Sequence, residues 1–208
     1  MKKIVLFILL CSISYSGIAQ RSKHKAKEGN ASTRIQPRLI VGIVVDQMRY
    51  DFLYRYYDRL SSGGFKRLLE GGVNCLDMQY NYSPTKTGPG HASIFSGAPP
   101  AINGIVSNDW YDRQQQKMVY CTEDLNAKGV GMTGEAGQMS PANLKVTSLG
   151  DQVKLATGMR GKVIGIACKD RGAILTVGHS ADAAYWFDAE TGNWGTSDYY
   201  LSTLPTWV

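Results

Sequence analysis

The run Leu39-Ile-Val-Gly-Ile-Val-Val45 constrains the fold more than any other stretch. It is apolar throughout, dominated by β-branched side chains, and it stops on Asp46. A strand with one face in water alternates polar and apolar residues. A continuous run of this kind therefore predicts a strand buried on both faces, as in parallel sheets. Open α/β sheets place their ligands beyond the carboxyl ends of such strands, where the Asp46 carboxylate is expected.

Lys162-Val-Ile-Gly-Ile-Ala-Cys168 repeats the pattern and is followed at once by Lys169, Asp170 and Arg171. Residues 73–80 are a further strand candidate, 110–121 one hairpin, and 184–188 with Trp194 a second hairpin across Glu190-Thr-Gly-Asn193. Helical spacing runs over residues 50–60 and 64–69, with a stop at Gly71-Gly72. It returns over 144–157, opened by Ser140-Pro141 and closed by Gly158. Strands alternating with helices predict an α/β core with a mainly parallel central sheet flanked by helices. Residues 97–143, rich in Gly, Asn and Pro, read otherwise as irregular connections.

Composition narrows the class. A hydrophobic fraction of 43% excludes a disordered chain. Cys11, Cys75, Cys121 and Cys168 form no Cys-x-x-Cys pair, which excludes a thiolate zinc finger and a disulfide-dense scaffold. The net charge of +6 suggests a nucleic-acid partner until it is located: the whole excess lies in Lys2, Lys3 and residues 21–34, and residues 35–208 are neutral. No specific nucleic-acid partner is expected. Residues 1–19 read as a signal peptide, with two lysines, a short apolar run and small residues before a cut after Ala19. Residues 20–36 read as a basic polar linker. The apolar run is too short for a stable membrane span, so a periplasmic or secreted protein is expected. After cleavage Cys75, Cys121 and Cys168 would remain, an odd count that leaves their pairing open.

Four features carry chemistry: Asp46 after a strand, Thr87 at a helix start, Asn108 in a polar loop, and Lys169-x-Arg171 after another strand. Pro89 suits a first helical turn, so Thr87 falls where backbone amides and the helix dipole favour an anion. Each feature alone has an ordinary reading, as a helix cap, a turn former or a solvated cation. Together they describe an anion site with a hydroxyl, two cations, an amide donor and a carboxylate able to hold a metal, which suits phosphoryl transfer. A threonine hydroxyl is a poor nucleophile at neutral pH, and a bound zinc would activate it.

The segments Val44-Val-Asp-Gln-Met-Arg-Tyr-Asp51, Lys86-Thr-Gly-Pro-Gly-His-Ala-Ser93, Ser107-Asn-Asp-Trp110, Lys169-Asp-Arg171 and Gly178-His-Ser-Ala-Asp-Ala-Ala-Tyr-Trp186 together resemble, in order, the amino-terminal part of the PafA-like, phosphate-irrepressible alkaline phosphatases. The resemblance covers residues 37–208. It implies the N-terminal part of an alkaline-phosphatase-like catalytic domain, incomplete in this chain, from a secreted phosphate monoesterase holding two zinc ions. Thr87 would be the nucleophile, forming a phosphothreonine. Asp46 would ligate the zinc that holds the Thr87 oxygen, and Asn108, Lys169 and Arg171 would contact the nonbridging phosphoryl oxygens. Small phosphate monoesters would be the substrates. The positions of His91 and His179 do not match family zinc ligands, and both read as structural histidines. The remaining ligands lie in the family's later half, so the chain ending at Val208 reads as truncated and without substantial turnover alone. Two alternatives remain: a phosphodiesterase or nucleotide pyrophosphatase of the same superfamily, and a secreted, non-catalytic phosphate-binding module with Thr87 as a helix cap.

Overall fold

A computed structural model describes residues 37–208. The signal-peptide and linker readings, residues 1–19 and 20–36, lie outside the described residues. The chain divides into two units, Met1–Ile43 and Val44–Val208.

In the first unit the described residues 37–43 contain no helix or strand, and their side chains are exposed. The expected strand over 39–45 therefore does not form, and Val45 in the second unit is exposed as well. The strand expected over 73–80 is also absent, and Val73 is 96% exposed. The reason is common to both. An extended run becomes a strand only when a neighbour accepts and donates its backbone hydrogen bonds, and no described residue pairs with either run.

The second unit begins with a turn at Val45–Met48, then α1 (Phe52–Arg55), a 3-10 turn (Tyr57–Arg59) and α2 (Phe65–Gly71), which ends at Gly72. Next come α3 (Thr87–Ser96) and α4 (Pro100–Asn103), followed by an antiparallel hairpin, β1 (Asp109–Asp112) with β2 (Lys117–Tyr120). The Asp112 carboxylate accepts the N–H groups of Gln114 and Gln115 and closes the hairpin turn. After β3 (Gly129–Val130) and a 3-10 turn (Gly134–Gly137), α5 (Leu149–Ala156) leads to β4 (Ile164–Ala167). Then α6 (Asp170–Val177), β5 (Ala183–Phe187) and β6 (Trp194–Ser197) complete the core.

The helix expected from Ser140-Pro141 starts later, because the competing cap is better built. The Ser148 side chain accepts from the Asp151 N–H while the Asp151 carboxylate accepts the Ser148 N–H, a reciprocal capping box. Ser140 instead donates to Asp124 at 2.6 Å.

β3, β6, β5 and β4 form one four-stranded sheet in that order. β4 and β5 are parallel, with Gly165 opposite Ala184, and α6 is their crossover. The other two pairings among the described residues are antiparallel. Connection length decides the β5–β6 pairing: β5 reaches β6 through a short turn in which Asp188 accepts from the Glu190 N–H and the Thr191 hydroxyl, too short for a crossover. The α/β class stands, with the parallel expectation met at β4–β5.

α6 is the hub. Ala173, Ile174 and Val177 pack with Met132, Ala184 and Trp186 against the sheet, while Leu175 packs with Ala92, Ile105, Cys121 and Leu144 on the other side. A helix apolar on more than one face is buried from more than one side. Gly165 permits the close approach, because a Cβ there would lie 2.5 Å from the Ala173 carbonyl oxygen.

Candidate active site

Thr87 is the first residue of α3, with Lys86 at the cap position and no side chain capping the helix. The Thr87 hydroxyl donates instead to Asp46 Oδ2 at 3.0 Å, across 41 residues of chain. The other Asp46 oxygen accepts the Gln47 N–H at 3.0 Å, which orients the carboxylate within its turn. The helix-cap reading of Thr87 is thereby corrected: its oxygen makes a tertiary contact, not a local one. Asp46, expected at the end of a paired strand, sits on an exposed turn.

The start of α3 offers fewer amides than a free helix end. The Gly88 N–H donates to Asn108 Oδ1 at 2.7 Å, and Pro89 has no N–H, so of the first three positions only Thr87 has an N–H without a partner among the described residues. The same bond fixes the Asn108 amide, with Oδ1 toward the helix and Nδ2 left as the donor. Buried His91 contacts the Thr87 carbonyl through Nδ1 at 2.8 Å, a structural role inside the helix.

The end of the hairpin joins this helix start to that of α6. The Cys121 N–H donates to the Asn108 carbonyl at 2.8 Å, and the Cys121 side chain lies against Gly88, where an added Cβ would come within 3.3 Å of the sulfur. On either side of Cys121, Tyr120 and Thr122 reach α6. The Tyr120 hydroxyl accepts from Arg171 Nη1 at 2.5 Å and donates to Asp170 Oδ1 at 3.0 Å, and the Thr122 hydroxyl donates to Asp170 Oδ2. Burial, then the Asp170 charge, pushes the Tyr120 phenol far above its ordinary range, so it keeps its proton. Burial likewise pushes the Cys121 thiol up to about 12, which makes it an inert filler rather than a nucleophile. Burial works against the Arg171 charge, but the Tyr120 hydroxyl and the Asp170 carboxylate outweigh it and raise its pKa.

Asp46 and Thr87 are thus in direct contact, Asn108 is bonded to the residue after Thr87, and Arg171 is tied to the strand end that also holds Asn108. Lys169 stands apart: it occupies the α6 cap position, is exposed, and makes no side-chain hydrogen bond or ion pair among the described residues. Tyr120, Thr122 and Asp170 had no role in the sequence reading. Asp170 lies within the Lys169-Asp-Arg171 segment, but nothing in a hairpin sequence marks one tyrosine as the partner of a distant arginine.

Asp46 and Thr87 present two oxygen donors 3.0 Å apart, a donor chemistry that suits a hard or borderline divalent cation. Two donors alone would be an incomplete coordination shell, and no cluster of three or more His, Cys, Asp or Glu able to hold a metal occurs among the described residues. His179 contacts the Leu144 carbonyl at 3.0 Å and the Asp151 carboxylate at 3.5 Å. A cavity of about 210 Å³ lined by Ile166, Tyr185, Trp194, Trp207 and Val208 includes none of these site residues. No described helix is long and apolar enough to cross a membrane.

Comparison with known proteins gives the class first. Residues 40–207 match the family described as type I phosphodiesterase / nucleotide pyrophosphatase, and the chain belongs to that family. Within it the chain is similar to alkaline phosphatases of the PafA and PhoV kind. It is 50% identical over 184 residues to alkaline phosphatase PafA of Elizabethkingia meningoseptica, covering 88% of this chain and 33% of that protein. It is 47% identical over 206 residues to alkaline phosphatase PhoV of Synechococcus elongatus, covering 99% and 37%. A protein of Myroides odoratus named calcium-transporting ATPase is 48% identical over 207 residues, covering 100% and 36%. The crystal structure of wild-type PafA superposes with a TM-score of 0.82 at 50% identity, over 83% of this chain and 34% of that one. The chain therefore spans about a third of the length of these relatives. A second PafA structure, with a TM-score of 0.78, carries substitutions at one threonine, one asparagine, one lysine and one arginine. Its Thr-to-Asn and Lys-to-Arg spacings equal those of Thr87 to Asn108 and Lys169 to Arg171.

Proposed function

We propose that the whole protein is an exported, zinc-dependent phosphate monoester hydrolase in which Thr87 is the nucleophile. The observation that carries this reading is the Thr87–Asp46 contact at the first turn of α3, which places a hydroxyl, a carboxylate and the positive end of a helix together. The relatives named alkaline phosphatase support the reaction class. Asp46 and Thr87 would share one zinc ion, which when bound lowers the pKa of the hydroxyl.

In the reaction the Thr87 oxygen would lose its proton to solvent and form a bond to phosphorus while the ester oxygen leaves with its bonding pair and takes up a proton from water, giving a phosphothreonine and an alcohol. Water would then attack phosphorus as the bond to the Thr87 oxygen breaks, one water proton passing to that oxygen, releasing inorganic phosphate and restoring the Thr87 hydroxyl. The Asn108 amide and the cations of Lys169 and Arg171 would meet the nonbridging oxygens, a set that favours a monoester dianion over a singly charged diester. The Met1–Gln20 pattern supports export to the periplasm or beyond. The family description favours a second reading, a phosphodiesterase, and the two are separated by rates.

The test is hydrolysis of an aryl phosphate and of the matching aryl diester by the zinc-reconstituted whole protein, with Thr87→Ala beside it. Faster monoester turnover, lost in the variant together with the acid-trapped phosphoprotein, is the expected result. Faster diester turnover overturns the substrate assignment, and an active Thr87→Ala overturns the nucleophile.

A further inference from the structure

We propose that Tyr120 is a positioning residue that aims Arg171 and keeps its charge available to an anion; this rests on Arg171 contacting the phosphoryl group. Arg171 and Asp170 are adjacent on the first turn of α6, and a charge-assisted pair between them would be the strongest bond open to either. Among the described residues they do not pair. The Tyr120 hydroxyl stands between them, accepting from Arg171 Nη1 and donating to Asp170 Oδ1, while the Thr122 hydroxyl takes Asp170 Oδ2.

The consequences follow from the chemistry of each group. Both oxygens of Asp170 accept from neutral hydroxyls and neither from the adjacent guanidinium. Arg171 is held at one nitrogen by a neutral oxygen, and its other donors have no hydrogen-bond partner among the described residues. Its Nε is buried and has no protein partner among the described residues. The Tyr120 ring, with its centroid 5.8 Å from the guanidinium carbon, adds a cation–π contact that restricts the side chain further. Tyr120 itself is anchored at the end of β2, and the next residue bonds to Asn108. One strand end thus registers two of the three proposed phosphate donors, Asn108 and Arg171. The position asks for a long side chain that donates and accepts at one atom, which phenylalanine cannot do.

The experiment is a double-mutant cycle of Tyr120→Phe and Arg171→Ala in the zinc-reconstituted whole protein, reading kcat/KM for an aryl phosphate and its diester. Tyr120→Phe is expected to lower the monoester-to-diester ratio about tenfold, the scale of one charge-assisted hydrogen bond, and to add nothing once Arg171 is alanine. Equal loss on both substrates, or full additivity in the double variant, overturns the proposal. If Arg171→Ala leaves the ratio unchanged, the phosphoryl-contact reading fails and the proposal falls with it. If Arg171→Ala lowers the ratio and Tyr120→Phe does not, only the proposal falls. A second readout needs no turnover: the guanidinium ¹⁵N signals of Arg171, assigned by their loss in Arg171→Ala, should show hindered rotation that averages out in Tyr120→Phe. Unchanged rotation overturns the proposal.

Discussion

Replacing Lys154 by methionine should destabilise the protein by about 3 kcal/mol at neutral pH, at the lower end of what breaking one side of a buried ion pair costs. Lys154 lies on α5 with its side chain 7% exposed. Its ammonium donates to Asp182 Oδ2 at 3.0 Å, the Gly161 carbonyl at 3.1 Å and the Met159 carbonyl at 3.3 Å, using all three protons. Methionine keeps the length of the side chain and removes all three bonds. The loss stays at the lower end because Asp182 retains Lys162 at 2.9 Å and the Val163 N–H at 2.8 Å. The acid limb gives an independent check. Burial alone would raise the Asp182 pKa, but Lys162, the Val163 N–H and Lys154 outweigh it and bring the carboxyl from 3.8 to about 2. A depressed carboxylate stabilises the fold fully above its unfolded pKa and loses that contribution as pH falls through its folded one. About 2 kcal/mol should therefore disappear between roughly pH 4 and pH 2. Urea titrations of wild type and variant, followed by tryptophan fluorescence across that range, measure both quantities. The gap between them should narrow as the pH drops. A gap under about 1 kcal/mol at neutral pH, or one that does not change with pH, would refute the reasoning.

Two further outcomes test the packing. Gly178→Ala should cost about 3 kcal/mol or more in urea titration, because the residue has φ +78° and an added Cβ would lie 2.2 Å from Asp151 Oδ2 and 2.4 Å from Ser148 Oγ, inside the capping box. A wild-type midpoint would mean that the box is not as drawn. With Cys11 changed to serine, a thiol reagent should label exposed Cys75 and Cys168 rapidly and buried Cys121 only on unfolding. Comparable rates at all three would contradict the placement of Cys121 against α3.

Local interactions made several elements legible in the chain itself. Pro89 sets a first helical turn and so places Thr87 at its start; Asp112 makes its own hairpin turn, and the Asp188-centred turn folds β5 back on β6. Each depends on residues a few positions apart, so the sequence carries the whole cause. The α/β class was also legible, from strands alternating with helical stretches, and the contacts of Thr87 with Asp46 and of Gly88 with Asn108 join positions that the sequence singles out by residue type.

Tertiary structure decided the rest. The run over 39–45 has every local property of a buried strand, yet a strand is a relation between two segments, and its backbone groups find no described partner. Ser140 and Ser148 are both plausible helix caps by type. Ser148 wins because Asp151 completes its box and the Ser180 N–H, far along the chain, donates to the same carboxylate at 2.7 Å. The links of Tyr120 and Thr122 to Asp170, and of Tyr120 to Arg171, span about fifty residues. A hydroxyl's partner at that separation is chosen by how the hairpin packs on α6, through contacts that no local pattern encodes.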